Sequence, residues 1–244
     1  MTRRRWIADE IAGNHAALTG SHAAHLARVL RARVGQEFEI SGADRVRLGR
    51  VIAISADRVE FELGEEVAQP AVRPVMLFLS IFRFDRMEWA IEKATELGVT
   101  RIVPTAAGRS DAHLVAAAAR RVERWRRIAL QAAQQSRRAA PPEVHAPQGF
   151  QQVLEASAPV RIVLAENERR LSLRNALEDY AASPEGDLAL TVGPEGGWTA
   201  EELAAFEQHR WQAASLGPGI LRAETAAIAA LAVCSVFNSI RQSE

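Results

Sequence analysis

The sequence predicts an α/β domain with a mainly parallel sheet, preceded by a small β-barrel. Residues 1 to 68 hold short strand-type segments punctuated by turn residues, whereas beyond Pro74 strand segments alternate with longer helical stretches. Pro70 and Pro74 bracket the change, which divides the chain into residues 1–70 and 71–244. A chain of 244 residues with 48% hydrophobic content can bury a full core as one or two domains.

In the first part, strands are expected over residues 36–40, 46–54 and 58–63, with Gly42, Gly49 and Ala56-Asp57 as punctuation. A short helix is expected over residues 21–31. Ser21 would be its N-cap, and Ala24, Leu26, Val29 and Leu30 would be its apolar positions. In the second part the strand candidates are residues 75–79, 102–104, 143–145, 160–165, 188–192 and 212–216. Helices are expected over residues 86–97, 114–136, 171–181, 200–209 and 223–240. The chain has no internal repeat and no low-complexity tract.

Composition narrows the function. Cys234 is the single cysteine, and Met1-Thr2-Arg3-Arg4-Arg5-Trp6 runs into Asp9 and Glu10 with no apolar stretch behind it, so a cytoplasmic protein is expected. The least charged long stretch, residues 225–240, falls short of the roughly 20 residues a bilayer helix needs, so no membrane span is expected. Formal net charge is zero, yet residues 120–138 hold seven arginines against one glutamate, and residues 155–207 hold eleven acids against four arginines. With Arg3, Arg4 and Arg5, the basic stretch could neutralise several phosphates of a nucleic acid, or serve as a solvated helix face. His22 and His25 share a helix face without a third ligand nearby, so no metal is expected. Trp6, Trp89, Trp125 and Trp211 read as core or interface residues, and Trp198 stands beside the loop described next.

The chemistry concentrates in two segments. Residues 190–192 end a buried strand, and Gly193-Pro194-Glu195-Gly196-Gly197-Trp198 forms a loop in which backbone can approach a ligand closely. Thr199, with Glu202 three residues on, makes a capping box that sets this loop at a helix N-terminus. A second strand-to-helix run, Leu216-Gly217-Pro218-Gly219-Ile220-Leu221-Arg222-Ala223-Glu224, places Arg222 and Glu224 at the first turn of the last helix. No phosphate loop ending in Gly-Lys-Ser/Thr, no Gly-x-Gly-x-x-Gly fingerprint after a strand and no Gly-x-Ser-x-Gly elbow is present. Two glycine loops at neighbouring strand ends would enclose a cavity lined by backbone amides and carbonyls, which suits an adenosine-like cofactor better than a phosphate.

Gly193-Pro194-Glu195-Gly196-Gly197, with Leu216-Gly217 and Ile220-Leu221-Arg222-Ala223-Glu224-Thr225-Ala226, resembles the paired signature of the ribosomal RNA small subunit methyltransferase E family. Glu92-Lys93-Ala94-Thr95-Glu96-Leu97-Gly98-Val99, Arg109-Ser110 and Glu123-Arg124-Trp125 agree with it, as does His25-Leu26-Ala27-Arg28-Val29-Leu30-Arg31 near the start. Gly108, Gln131 and Arg83 depart from the residues common in that family and bear on RNA contacts.

The resemblance implies a SPOUT fold with a deep trefoil knot, a PUA-like RNA-binding barrel, and a homodimer. It implies methylation of N3 of a uridine in 16S RNA, in the decoding region near its 3′ end, as free RNA or in the assembled small subunit. S-adenosylmethionine would lie against Ala165, Val192, Gly193, Pro194, Glu195, Gly196, Gly197, Leu216, Gly217, Ile220 and Leu221. RNA contacts are expected at Arg3, Arg4, Arg5, His25, Arg28, Arg31, Arg109, Arg137 and Arg138. N3 of uridine carries a proton that must leave before the nitrogen is nucleophilic, so Glu195 or Glu224 is expected as base and Arg222 as stabiliser of the resulting charge. A non-catalytic ribosome-assembly factor, or a SPOUT enzyme acting on another RNA, would share many of these features.

Overall fold

A computed structural model of the chain describes residues 5–42, 45–68, 73–182 and 186–239. Arg3 and Arg4, the linker centre at 69–72 and the last residue of the expected C-terminal helix lie outside the described residues. The chain divides into two compact units, Met1–Pro70 with Ala133–Pro141, and Ala71–Ala132 with Pro142–Glu244.

The first unit is built on one six-stranded sheet in the order β1-β4-β5-β6-β3-β2. Its strands are β1 (Arg5–Ile7), β2 (Glu10–Ala12), β3 (His15–Thr19), β4 (Glu37–Gly42), β5 (Arg45–Ile54) and β6 (Arg58–Glu66). The two edge strands, β1 and β2, are separated in sequence by Ala8 and Asp9 alone, so the sheet must curl until its edges nearly meet. Ala8 N–H donates to Ser41 O at 2.9 Å on one side, and Asp9 N–H donates to Ala17 O at 3.0 Å on the other. The edges pack closely where they meet: a Cβ on Gly42 would lie 2.1 Å from Ile11 Cδ1, so the tip of that side chain would have to shift. Bulges where β5 meets β6, between Arg47 and Gly49 and between Val51 and Ala53, supply further curvature. The barrel is filled by Leu18, Leu26, Ile40, Val59 and Phe61, all buried.

The helix of this unit differs from expectation. α1 (Gly20–Ala24) runs into a π-helical turn at His25–Val29, and Thr19 occupies the N-cap position without a side-chain cap bond, not Ser21. Gly20 at φ 53° turns the chain directly out of β3, with its N–H on Asp57 O at 2.8 Å, so the helix starts one residue early. Sequence periodicity also missed β1, β2 and β3, since three- and five-residue strands are too short to show alternation.

The second unit is a sheet whose pairs are all parallel, in the order β10-β8-β7-β12-β11-β13 with β9 beside β8. Its strands are β7 (Val75–Ser80), β8 (Arg101–Ala106), β9 (Glu143–Val144), β10 (Gln148–Gly149), β11 (Val160–Leu164), β12 (Leu188–Val192) and β13 (Gln212–Ala214). All five residues of β12 are buried, as a strand covered on both faces requires.

Helices α2 (Phe84–Glu96), α3 (Ala112–Ala118), α4 (Val122–Gln135), α5 (Phe150–Leu154), α6 (Leu173–Ala182), α7 (Ala200–Gln208) and α8 (Ala223–Ser239) connect the strands. One face of the sheet carries the core of α2, α6 and α8, including Met87, Ile91, Leu177, Ala227 and Leu231. The other carries Phe78, Val163, Trp198, Phe206 and Trp211 beneath α5 and α7. The single helix expected over residues 114–136 is split by a 3₁₀ turn at Ala119–Arg121, and α5 was not anticipated.

Candidate functional site

The site follows from strand order. β11 lies between β12 and β13, and α7, which links those two strands, packs on one face while α8, which follows β13, packs on the other. Connections that diverge in this way leave a crevice at the carboxyl ends of the strands, the usual ligand position in open parallel sheets. Here the crevice is a cavity of about 760 Å³, within the range of small-molecule sites. It is walled by the loops that leave β11, β12 and β13, with Arg86 from α2 and Arg109 from the loop after β8.

Each wall is fixed by identifiable bonds. The capping box forms as the sequence indicates: Thr199 Oγ1 accepts from Glu202 N–H at 3.1 Å, and Glu202 Oε2 accepts from Thr199 N–H at 2.9 Å. The second oxygen, Oε1, accepts from Gly108 N–H at 2.7 Å and ties the loop after β8 to the same helix end. Glu202 is therefore buried with both oxygens satisfied, as a buried carboxylate must be. Arg109 donates from Nη1 to Gly196 O at 2.7 Å and clasps the glycine loop from outside.

Trp198 forms the floor. Its Nε1–H donates to Leu164 O at 2.9 Å, and its ring meets Phe206 edge-on at 5.0 Å. A Cβ at Gly193 would sit 3.2 Å from that indole, so the loop after β12 lies flush on the ring only because this residue is glycine. Gly197 and Gly217 take φ of 68° and 116°, conformations that glycine permits freely. The loop after β11 is held at both ends by one segment of chain. Ala165 N–H donates to Ala214 O at 3.0 Å, Ser215 N–H donates to Leu171 O at 2.9 Å, and Leu173 N–H donates to Ser215 O at 2.8 Å. Within that loop Glu168 Oε1 accepts from the N–H groups of Arg170 and Leu171, which holds its carboxyl below the usual range.

Ala165, Val192, Gly193, Pro194, Glu195, Gly197, Leu216, Gly217, Ile220 and Leu221 all line the cavity. Gly196 stands just outside, its carbonyl occupied by Arg109. Of the three residues expected to act chemically, Glu195 and Arg222 line the cavity and are exposed. Glu224 is buried behind the wall, with Oε1 3.6 Å from Arg86 Nε. Sequence reasoning missed Arg86, Glu166 and Asn167, which also line the cavity. None of them lies in a glycine motif, and only the fold brings Arg86 to strand ends that come more than a hundred residues later in the chain.

The residues expected to touch RNA differ in exposure and pairing. Arg5 is spent on its own unit, with Nε and Nη2 on Glu39 Oε2 at 2.9 and 2.8 Å and Nη1 on Arg137 O. His25, Arg28 and Arg31 are exposed around the π-helical turn. Burial pushes Arg138 down to about 10, and Arg137 is exposed at φ 59°. Within the basic stretch, Arg124 pairs with Glu88 through two bonds of 2.6 and 2.7 Å and Arg126 pairs with Glu123 at 2.6 Å, so part of its charge is neutralised internally.

Comparison with known proteins gives the family. Residues 69–235 match the family described as RNA methyltransferase domain, and residues 18–64 match the RNA methyltransferase PUA domain. Ribosomal RNA small subunit methyltransferase E of Mycobacterium tuberculosis is 35% identical over 93% of this chain and 88% of its own length. The chain belongs to that family. The Bacillus subtilis member is 31% identical over 89% of this chain and 88% of its own length. The crystal structure of the Neisseria gonorrhoeae member bound to S-adenosyl methionine superposes with a TM-score of 0.79, at 28% identity, covering 96% of this chain and 98% of that one. The expected architecture of a SPOUT α/β domain with a PUA-type barrel thus stands. Among the described residues, no helix is long and apolar enough to cross a membrane.

Proposed function

We propose that this protein methylates N3 of a uridine of 16S RNA, in the decoding region near its 3′ end, with S-adenosylmethionine as donor. The single observation that carries the reading is the cavity between the loops after β11, β12 and β13, walled by glycine backbone and floored by Trp198. Its residues fit such a donor: Gly193 lets the loop lie against Trp198, where a Cβ would press on the indole, and the backbone amides and carbonyls of residues 193–197 and 216–221 can satisfy an adenine edge. When bound, S-adenosylmethionine supplies a sulfonium-activated methyl group whose transfer to nitrogen leaves a neutral thioether.

The chain's own residues do the rest. The cofactor loops and the clasp from Arg109 hold the reacting groups in near-attack geometry, where most of the acceleration for an in-line displacement arises. Glu195 lines the cavity and takes the N3 proton, whereas buried Glu224 is committed to Arg86. Arg222 faces the negative charge that deprotonation spreads onto the flanking carbonyl oxygens. Residues 1–70 act as the RNA-binding domain through the exposed His25, Arg28 and Arg31, and residues 71–244 as the methyltransferase domain.

Two further features belong to this reading. The segment at Ala214 and Ser215 is gripped on both sides by the single loop after β11, which supports a trefoil knot with the chain threaded through that loop. Trp89 on α2 and Val236 on α8 are exposed apolar side chains on two helices that pack together, which supports a homodimer through these helices, and the reading includes a cytoplasmic location.

The test is digestion of the RNA after incubation of the protein with small subunits and with free 16S RNA, followed by nucleoside mass spectrometry. 3-Methyluridine is the expected product, and its appearance with one substrate alone identifies the natural one. A different methylated nucleoside would replace the target. RNA binding with no affinity for S-adenosylmethionine would replace the reading with that of an assembly factor.

A further inference from the structure

We infer that Arg86 is a second charge-stabilising residue of the methyl-transfer site, held by Glu224 so that its free donors meet a carbonyl oxygen of the acceptor base. The inference rests on the uridine-N3 reading above. Arg86 lines the cavity from the first turn of α2, and among the described residues its guanidinium makes no hydrogen bond. Its close counter-charge is Glu224, with Oε1 at 3.6 Å from Nε. Glu224 is only 5% exposed, and its Oε2 has no hydrogen-bond partner among the described residues.

Such a pair is a poor structural bridge. A buried ion pair stabilises only when good geometry and further hydrogen bonds satisfy both partners, and here neither partner is saturated. The arrangement suits a different task. The carboxylate fixes one edge of a planar, permanently charged fork and leaves its terminal nitrogens available to an oxygen in the cavity.

Position favours the acceptor base over other oxygen ligands. Arg222 immediately precedes α8 and Glu224 lies in its first turn, so Arg86 and Arg222 flank the same turn of one helix. A uracil deprotonated at N3 carries its charge on two carbonyl oxygens, one on each side of the nitrogen. Two guanidinium groups, one per oxygen, lower the cost of that anion while Glu195 holds the proton. The other charged groups lining the cavity are Glu166, Glu195 and Arg109, and Arg109 is engaged by Gly196.

The experiment compares wild type with Arg86→Gln, and with Arg86→Gln combined with Glu224→Gln, which removes both charges of the pair and avoids a stranded buried carboxylate. Single-turnover methylation at neutral pH should fall about a hundredfold in both variants, and the rate should recover as pH rises because solvent then removes the N3 proton. Calorimetric affinity for S-adenosylmethionine and affinity for RNA should each stay within about threefold. Arg86→Lys should recover part of the rate, since it keeps the charge without the fork.

An independent readout uses a 16S 3′-region transcript made with 5-fluorouridine. One fluorine resonance should report N3 deprotonation at lower pH when bound to wild type, and not when bound to the variants. A tenfold loss of cofactor affinity would assign Arg86 to the donor's carboxylate, and a loss of RNA affinity with an unchanged single-turnover rate would assign it to a phosphate. Either result, or an unchanged rate, overturns the inference. If the wild-type product is not 3-methyluridine, the underlying reading fails first, so the two failures are told apart.

Discussion

The guanidinium of Arg109 closes on the carbonyl oxygen of Gly196 at 2.7 Å, joining the loop after β8 to the glycine loop after β12. Sequence reasoning assigned Arg109 to RNA; in the structure its guanidinium also braces the glycine loop that walls the cavity. A charge-assisted bond at an exposed position is worth about 1 kcal/mol. Arg109→Met should therefore weaken S-adenosylmethionine binding by about fivefold, read by calorimetric titration, with little change in melting temperature. Unchanged cofactor affinity with reduced RNA affinity would return Arg109 to the RNA surface.

The Glu202 carboxylate joins two backbone N–H groups, one from each of two loops, into one unit. Removal of this 7% exposed carboxylate leaves the N–H groups of Gly108 and Thr199, both in part-buried bonds, without their acceptor. Loss of a cap together with a part-buried unsatisfied donor costs about 2 kcal/mol, so Glu202→Ala should lower the melting temperature by about 4 to 8 °C. A shift under a degree in a thermal melt would show that water replaces the carboxylate.

Bulk at the glycine loop should act on binding more than on folding. Gly196 is exposed, and a Cβ there would lie 3.3 Å from Arg109 Cβ, so the tryptophan of Gly196→Trp must displace the clasp and occupy the cavity mouth. Cofactor affinity should fall at least about tenfold while circular dichroism and melting temperature stay near wild type. Gly193→Val presses on the buried indole of Trp198 and should cost stability as well as affinity, detectable as altered tryptophan fluorescence.

Acid should loosen the loop after β11. The Glu168 carboxyl is held below its ordinary value first by the N–H of Arg170 and then by that of Leu171. A depressed folded-state value adds stability that is present above the unfolded carboxylate value of about 4.3 and is lost as pH falls through the folded one. Glu168→Gln should therefore be less stable than wild type at neutral pH, with the gap narrowing below about pH 4.5. Melting temperatures measured from pH 7 to pH 3 test this, and parallel curves would exclude the contribution.

Local signals were enough for a large share of this protein. β12 was placed residue for residue because Leu188-Ala189-Leu190-Thr191-Val192 is a short, largely apolar run between turn residues, which suits a strand buried on both faces. The N-terminus of α7 was equally plain, since a threonine followed three residues later by a glutamate satisfies two orphan amides by itself. The glycine loops that wall the cavity were found for the same reason: their chemistry is written in adjacent residues.

What only the tertiary structure decided depends on residues far apart in the chain. The barrel closes because a two-residue link joins opposite sheet edges, and the short strands involved have no period to read. Glu224 and Glu195 looked alike in sequence, and the fold gives them different settings: Glu195 lines the cavity and Glu224 is buried beside Arg86. Arg86 itself carried no local signal. Its approach to Glu224 exists only because a parallel sheet brings the start of α2 and the start of α8 to the same end, an order set by packing and not by neighbours in sequence.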